Sequence, residues 1–277
     1  MTTQADSILV LGATGKTGRR LVSTLRAAGE HVRAASRSGE VRFDWADRGT
    51  WPVALDGASA VYLVASENPA LTRLFVENAV AAGVRRFVAL SGRGIGLVPP
   101  EPFKNVVAAE EAVRDSGAQW SIIRPNNFNQ NFDEGLWRAP LRAGLLALPI
   151  GPAPEPFIDV QDVADVAAAL LTSDGHHGKV YELSGSRALT FGEAVEMMAD
   201  AAGRSIRYAE LTPEEYRAEL VAGGASEDEV EEVDAMFAAM RAGHLAEPTD
   251  AVRQVLGRAP VDFGDYVARA AAAGAWS

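Results

Sequence analysis

Three glycines in Gly12-Ala13-Thr14-Gly15-Lys16-Thr17-Gly18 stand between an apolar run, Ser7–Leu11, and an amphipathic stretch that begins at Lys16. This arrangement suits a dinucleotide diphosphate. Gly12 permits a tight turn, Gly15 lets backbone N–H groups approach the phosphates, and Gly18 lets the helix pack closely on the strand. The anion then lies at a helix N-terminus, where unpaired N–H groups and the macrodipole favour negative charge. About twenty residues further on, where an NAD site carries a carboxylate for the ribose, this chain has Ala35-Ser36-Arg37-Ser38. Arg37 can pair bidentately with a 2′-phosphate while Ser36 and Ser38 donate hydroxyls, so NADP(H) is expected over NAD(H). Asp44-Trp45 is placed to flank the adenine, with the alternative that Asp44 only caps a turn.

Ligands of parallel α/β sheets bind outside the carboxyl ends of the strands. Val64 and Ala65 end one apolar run and Ser91 follows another. Pro125, Asn126, Asn127, Phe128 and Asn131 follow a third. Val64, Ala65, Ser91, Pro125 and Asn126 are therefore assigned to the cofactor. Ser91 could bond the nicotinamide or a carbonyl, or serve as a turn residue. The amides of residues 126–131 can fix a neutral or cationic ligand without adding charge, or satisfy their own loop. Asn127, Phe128, Asn131, Trp137, Phe157, Met236, Phe237 and Met240 are candidates for an apolar substrate pocket, although such residues also build plain core. His176-His177 has no clustered third ligand, and no metal site is expected.

Alternating apolar runs and amphipathic segments predict the βαβ units that position these residues. The expected strands are Ser7–Leu11, His31–Ala35, Val41–Phe43, Ala60–Ala65, Arg86–Leu90, Trp120–Arg124 and Lys179–Leu183. Helices are expected at Lys16–Ala28, Pro69–Ala82, Lys104–Ser116 and after Phe157–Val160. Residues 125–157 carry six prolines and read as a pocket-forming excursion. Beyond residue 184 the pattern is mostly helical, with capping boxes at Thr190/Glu193 and Thr212/Glu215 and a third candidate at Ser226/Glu229. The expected fold is α/β: a Rossmann-type doubly wound parallel sheet with a smaller, mostly helical substrate domain. Residues 1–125 form the dinucleotide-binding domain, which the chain re-enters at about 157–183. Residues 126–156 and 184–277 form the substrate-binding part.

Composition narrows the function. In 277 residues, 26 basic and 37 acidic side chains leave a net charge of -11, which disfavours binding to nucleic acid phosphates. Cysteine is absent, so thiolate catalysis, Fe–S clusters and disulfides are excluded. The start MTTQADS lacks the basic region of a signal peptide, and no apolar run reaches the roughly 18 residues a membrane span needs. A cytoplasmic protein without membrane or nucleic-acid partners is expected, as a monomer or a homodimer.

The segments GATGKTG, AVYLV, GVRRFVALSGRGI, AAEEAVRDSGAQWSIIRPNNFNQNF, FIDVQDVADVAAALL and KVYELSGSRALTFGEAV together resemble the NmrA-like branch of the atypical short-chain dehydrogenase/reductases over nearly the whole chain. SRSGEVRFDW and the C-terminal half are most similar to bacterial relatives of the ergot-alkaloid iminium reductases. The resemblance implies NADP(H) and places the 125–131 segment beside the nicotinamide. It also implies one of two fates: a reductase of quinones, dyes, enones or iminium ions, or a catalytically silent sensor of the nicotinamide pool that acts through a protein partner. The Tyr-xxx-Lys pair of short-chain dehydrogenases is missing. No tyrosine lies between Tyr62 and Tyr181, and alignment on Glu110-Glu111 puts Phe103 and Val107 at the pair. An acceptor that is already cationic or polarised needs little proton donation in the hydride step. Lys104, if it points inward, could hold the ribose or donate a proton. Lys104, Ser91 and Asn127 are thus the catalytic candidates, and a small-molecule acceptor of bacterial secondary metabolism or detoxification is the expected partner.

Overall fold

Alternation of side chains along the first strand dictates a layered molecule, because Ile8 and Val10 are buried in one apolar cluster while Leu9 and Leu11 are buried in another. A strand apolar on both faces must be covered on both. The computed structural model describes residues 6–97 and 103–277, and shows this arrangement. Seven parallel strands form the main sheet: β1 (Ser7–Leu11), β2 (Val32–Ser36), β3 (Val41–Arg42), β4 (Ala58–Val64), β5 (Arg86–Leu90), β6 (Gln119–Pro125) and, later in the chain, Lys179–Leu183. Helix α1 (Lys16–Ala27) covers one face. Helices α2 (Trp51–Leu55), α3 (Pro69–Ala81) and α4 (Lys104–Asp115) cover the other.

The chain then leaves the sheet for α5 (Arg138–Ala143) and β7 (Leu145–Leu148), returns through α6 (Val160–Thr172) on the α1 face, and adds β8 (Lys179–Leu183) beside β6. The strand order is β3-β2-β1-β4-β5-β6-β8, and it reverses direction between β1 and β4. That switch point is where an open α/β sheet leaves a crevice.

The remainder comprises α7 (Phe191–Ala202), β9 (Arg207–Glu210), α8 (Pro213–Ala222), α9 (Glu227–Arg241), α10 (Ala251–Leu256) and α11 (Phe263–Ala272). All three capping boxes form, with the hydroxyls of Thr190, Thr212 and Ser226 accepting from the N–H groups of Glu193, Glu215 and Glu229. The short helices α2 and α5 and the two-stranded parallel sheet β7-β9 were not legible in the sequence. Each is four to six residues long, too short to show a helical or strand period. A separate core gathers Phe132, Trp137, Phe157, Phe191, Phe237, Phe263 and Trp276 beneath α7, α9 and α11. Among the described residues no helix is long and apolar enough to cross a membrane, and no cluster of three potential metal ligands forms.

Candidate functional site

The glycine loop has the expected shape. Gly12 has φ +64°, in the left-handed region that only glycine enters freely. A Cβ at Gly18 would lie 2.2 Å from the Gly12 carbonyl oxygen and 2.9 Å from Ala13 Cα, so any side chain there would push α1 off the loop. Gly15 is the N-cap of α1, in extended conformation. No side chain caps this helix, and its first turn holds no acidic residue. Its leading N–H groups are thus oriented for an external anion.

A cleft of about 800 Å³ opens over this loop. It is lined by Gly12, Thr14, Gly15, Lys16, Thr17, Ser36, Arg37, Ser38, Asp44, Trp45, Val64, Ala65 and Phe128 among the residues singled out from the sequence. Arg37 and Ser38 are exposed at its rim. The Ser36 hydroxyl is buried, faces the cleft and has no hydrogen-bond partner. An orphaned hydroxyl beside an exposed guanidinium is what a phosphorylated ribose would satisfy, so the residues present fit a dinucleotide. Asp44 has the turn role left open above, since its Oδ1 accepts from Ala46 N–H at 2.9 Å, yet it still borders the cleft. Trp45 packs edge-on against Phe43, Trp51 and Phe75 with ring centroids 5.0–5.9 Å apart, which leaves it half-exposed at the wall.

The β5 and β6 ends are tied together by charge. Ser91 Oγ donates to Glu110 Oε1, and Arg124 reaches both oxygens of Glu110 through Nε at 2.8 Å and Nη2 at 2.7 Å. Burial pushes the Glu110 carboxyl up, but the hydrogen bonds from Arg124, Ser91 and Arg114 outweigh it and hold the group below the usual carboxylate range. Ser91 is therefore engaged as a donor and keeps only its acceptor capacity toward a ligand. Arg93 Nη1 donates to Asn126 Oδ1 at 3.1 Å, and Asn126 Nδ2 donates to Glu155 Oε2 at 2.7 Å. Asn127 Nδ2 lies 3.3 Å from the same oxygen and 3.7 Å from Met240 Sδ.

Other candidates lie elsewhere. Lys104 is exposed at the start of α4 and does not line the cleft, so the solvated reading replaces the catalytic one; Pro100 lies outside the described residues. Trp137, Phe157, Phe237 and Met240 are at most 3% exposed within the second core, and Met236 packs against it. Their rings and thioethers pack against one another, and none of them lines the cleft over the glycine loop. Ala13 and Pro125 are buried beside the cleft rather than in its wall.

Two residues assigned to different ligands prove to be partners. Lys16 Nζ, in the phosphate loop, donates to Asn131 Oδ1 at 2.7 Å. A Cβ at Gly135 would lie 2.4 Å from that ammonium. Burial lowers the Lys16 pKa against the opposing pull of Glu134 and Asp133. Residues the sequence reading missed include Phe43, Ser66, Glu67, Asn68, Leu71 and Leu90 in the cleft wall, and the buried Glu155. Ser66–Asn68 follow β4 at the switch point, a positional signal that could have found them. Glu155 stands between Pro154 and Pro156, and nothing local marks it.

Comparison with known proteins agrees with this geometry. Residues 12–174 match the family model described as NAD(P)H-binding. The chain belongs to this family. An NmrA structure shares the fold at 17% identity with a TM-score of 0.73 over 97% of this chain and 96% of that one, and festuclavine synthase I of Penicillium roqueforti is 30% identical over 90% of each chain, so the resemblance to NmrA-like short-chain dehydrogenase/reductases is borne out, and with it an oxidoreductase family. The chain is 30% identical to NAD(P)H azoreductase of Xenophilus azovorans over 97% of its length and 99% of the relative. It is 36% identical to (4-alkanoyl-5-oxo-2,5-dihydrofuran-3-yl)methyl phosphate reductase of Streptomyces griseus, over 78% of this chain and 80% of that one. Among solved structures, the NADPH complex of the quinone oxidoreductase QOR2 from Escherichia coli shares the fold. The TM-score is 0.77 at 20% identity, over 95% of this chain and 99% of that one.

Proposed function

We propose that this NAD(P)H-binding protein is an NADP(H)-dependent reductase of a small conjugated or cationic acceptor: a quinone, an enone or an iminium ion. The single observation that carries the cofactor preference is the rim of the cleft, where exposed Arg37 and Ser38 flank the unpartnered hydroxyl of buried Ser36. Gly12, Gly15 and the leading N–H groups of α1 would hold the diphosphate, and Trp45 would border the adenine. Bound there, the cofactor supplies a hydride. The residues of the β6 end exclude water and orient the acceptor, with Phe128 as the wall and the amides of Asn126 and Asn127 as uncharged hydrogen-bond donors. We place the substrate-binding part in 126–156 and 184–277, around α9. Relatives named for reducing an azo compound and an oxo-dihydrofuran support a polarised acceptor, as does the absence of a tyrosine between Tyr62 and Tyr181.

One observation favours a second reading, a catalytically silent NADP(H) sensor acting through a protein partner: the apolar side chains around Met240 are packed against one another. The test begins with parallel titrations of NADPH, NADP⁺, NADH and NAD⁺ at one salt concentration, followed through tryptophan fluorescence. NADP forms binding at micromolar levels with NAD forms at least tenfold weaker is the expected outcome, and a reversed preference would overturn it. Turnover of NADPH with a quinone, enone or iminium acceptor then selects the reductase; binding without turnover of any of them selects the sensor.

A further inference from the structure

Glu155 is a deeply buried carboxyl beside the amides of Asn126 and Asn127. It is 1% exposed, on the proline-flanked segment that leads back toward α6. Its backbone is held by a reciprocal pair of bonds with Leu189, at 2.8 and 3.0 Å. One carboxyl oxygen, Oε2, takes the Asn126 and Asn127 amides. The other, Oε1, is buried and has no partner among the described residues. A buried carboxylate oxygen without a donor costs more than a neutral carboxylic O–H, which can wait unpaired for a ligand that brings an acceptor. The nearest charged group is Arg93, whose guanidinium is already committed to Asn126 Oδ1, to the carbonyls of Leu245 and Glu247 and, at 3.4 Å, to Glu182. From α9 the amide cluster meets the Met240 thioether, while the 189 segment meets the backbone of Glu155. Among the described residues no cation hydrogen-bonds the carboxyl, and the Arg93 charge acts on it only from a distance.

We propose that Glu155 is the proton donor of the reductase, delivering a proton to the heteroatom of an acceptor that binds between Asn127 and Met240. This rests on the reductase reading above. With the cofactor bound, a hydride (two electrons and one hydrogen) would pass from NADPH to a carbon of a quinone or enone, or to one nitrogen of an azo compound, leaving NADP⁺. The Glu155 O–H bond breaks, its proton goes to the acceptor oxygen or nitrogen, and the carboxylate recovers a proton from water. Quinones, enones and azo compounds need that proton, while a preformed iminium ion does not. Burial pushes the Glu155 carboxyl up to about 7, against the Asn127 hydrogen bond and the Arg93 charge, so an acid is available at neutral pH. Met240 and Phe237, buried in the second core, would form the apolar side of that acceptor position.

The decisive experiment measures single-turnover hydride transfer from NADPH to 1,4-naphthoquinone and to a preformed cyclic iminium ion, from pH 5.5 to 9, with wild type and Glu155→Gln. The expected result is a wild-type quinone rate that falls about tenfold per pH unit above 7, a pH-independent iminium rate, and a Glu155→Gln enzyme at least tenfold slower with quinone alone. NADPH affinity should stay within threefold of wild type. Equal quinone rates in wild type and variant overturn the proposal, as do wild-type profiles of the same shape for the two acceptors. The second comparison uses wild type only, so it decides the matter even if the variant fails to fold. Absence of wild-type turnover with both acceptors would refute the reductase reading itself and Glu155's role with it, whereas turnover without the difference refutes Glu155 alone.

Discussion

Arg37 has no hydrogen-bond acceptor competing for it within the cleft wall, and this decides how it can act. A guanidinium on a cleft rim can turn toward a phosphate without breaking a protein contact, so its charge-assisted hydrogen bonds contribute fully to binding. Arg37→Asp removes those bonds and adds repulsion. It should weaken NADPH by about 10- to 100-fold, the equivalent of roughly 1.5–3 kcal/mol for hydrogen bonds to charged groups, while NADH affinity holds or improves. Fluorescence titration reads both. Glu155 makes a prediction about stability independent of any reaction. Its folded-state carboxyl, near 7, lies above the ordinary 4.5, so the folded protein binds the proton more tightly than the unfolded chain. Stability from this group is therefore fully present below about 4.5 and is lost as pH rises toward 7, in total on the order of 3 kcal/mol. Thermal melting of wild type between pH 5 and 8 should show a downward trend that Glu155→Gln flattens.

Helix α6 shows how a single element can join two parts of a molecule. Its N-cap, Asp159, accepts from Gln161 N–H at 2.8 Å, Gln130 Nε2 at 3.1 Å and Arg269 Nη2 at 2.7 Å, which draws the amide loop and α11 to the same turn. One turn on, Asp162 is fully buried and accepts from Arg258 Nη1 at 2.6 Å and Val261 N–H at 2.7 Å. Asp162→Ala leaves that backbone N–H unpaired and releases Arg258, so a loss of about 2 kcal/mol is expected. Because the change is remote from the cleft, NADPH affinity should move less than threefold, and denaturant melts together with a titration would separate the two effects. The glycine loop was readable from its spacing. The role of α6 was not, because it depends on partners about 100 residues away in sequence.

Across the whole molecule, α1 connects the phosphate loop to the amide loop. Lys16 bonds Asn131, and Arg19 and Arg20 both pair with Glu134, Arg20 at 2.7 Å. The Asp133 carboxyl, pushed up by burial, accepts from Tyr266 on α11. Under the proposed reading, a ligand on Lys16 would be felt by residues 129–137 through these direct contacts, a physical route for coupling the two sites. Saturating NADPH should slow amide exchange in 129–137, and Asn131→Ala should abolish that protection while changing exchange in β1 and β4 little. NADPH at a hundred times its dissociation constant should also stabilise the fold by about 2.7 kcal/mol, by mass action alone.

Spacing in the chain was enough for the Rossmann-type fold, the shape of the glycine loop and all three capping boxes, because each is written in a pattern of residues close in sequence. Three-dimensional packing settled what the remaining polar groups do. Ser91 became a ligand of Glu110, Lys104 was left in solvent, and the aromatic and methionine candidates were used as core. It also brought Glu155 under Asn126 and Asn127, across 28 and 29 positions of proline-rich chain. A side chain's chemistry follows from what surrounds it, and burial and partners are properties of the folded chain that no local pattern encodes.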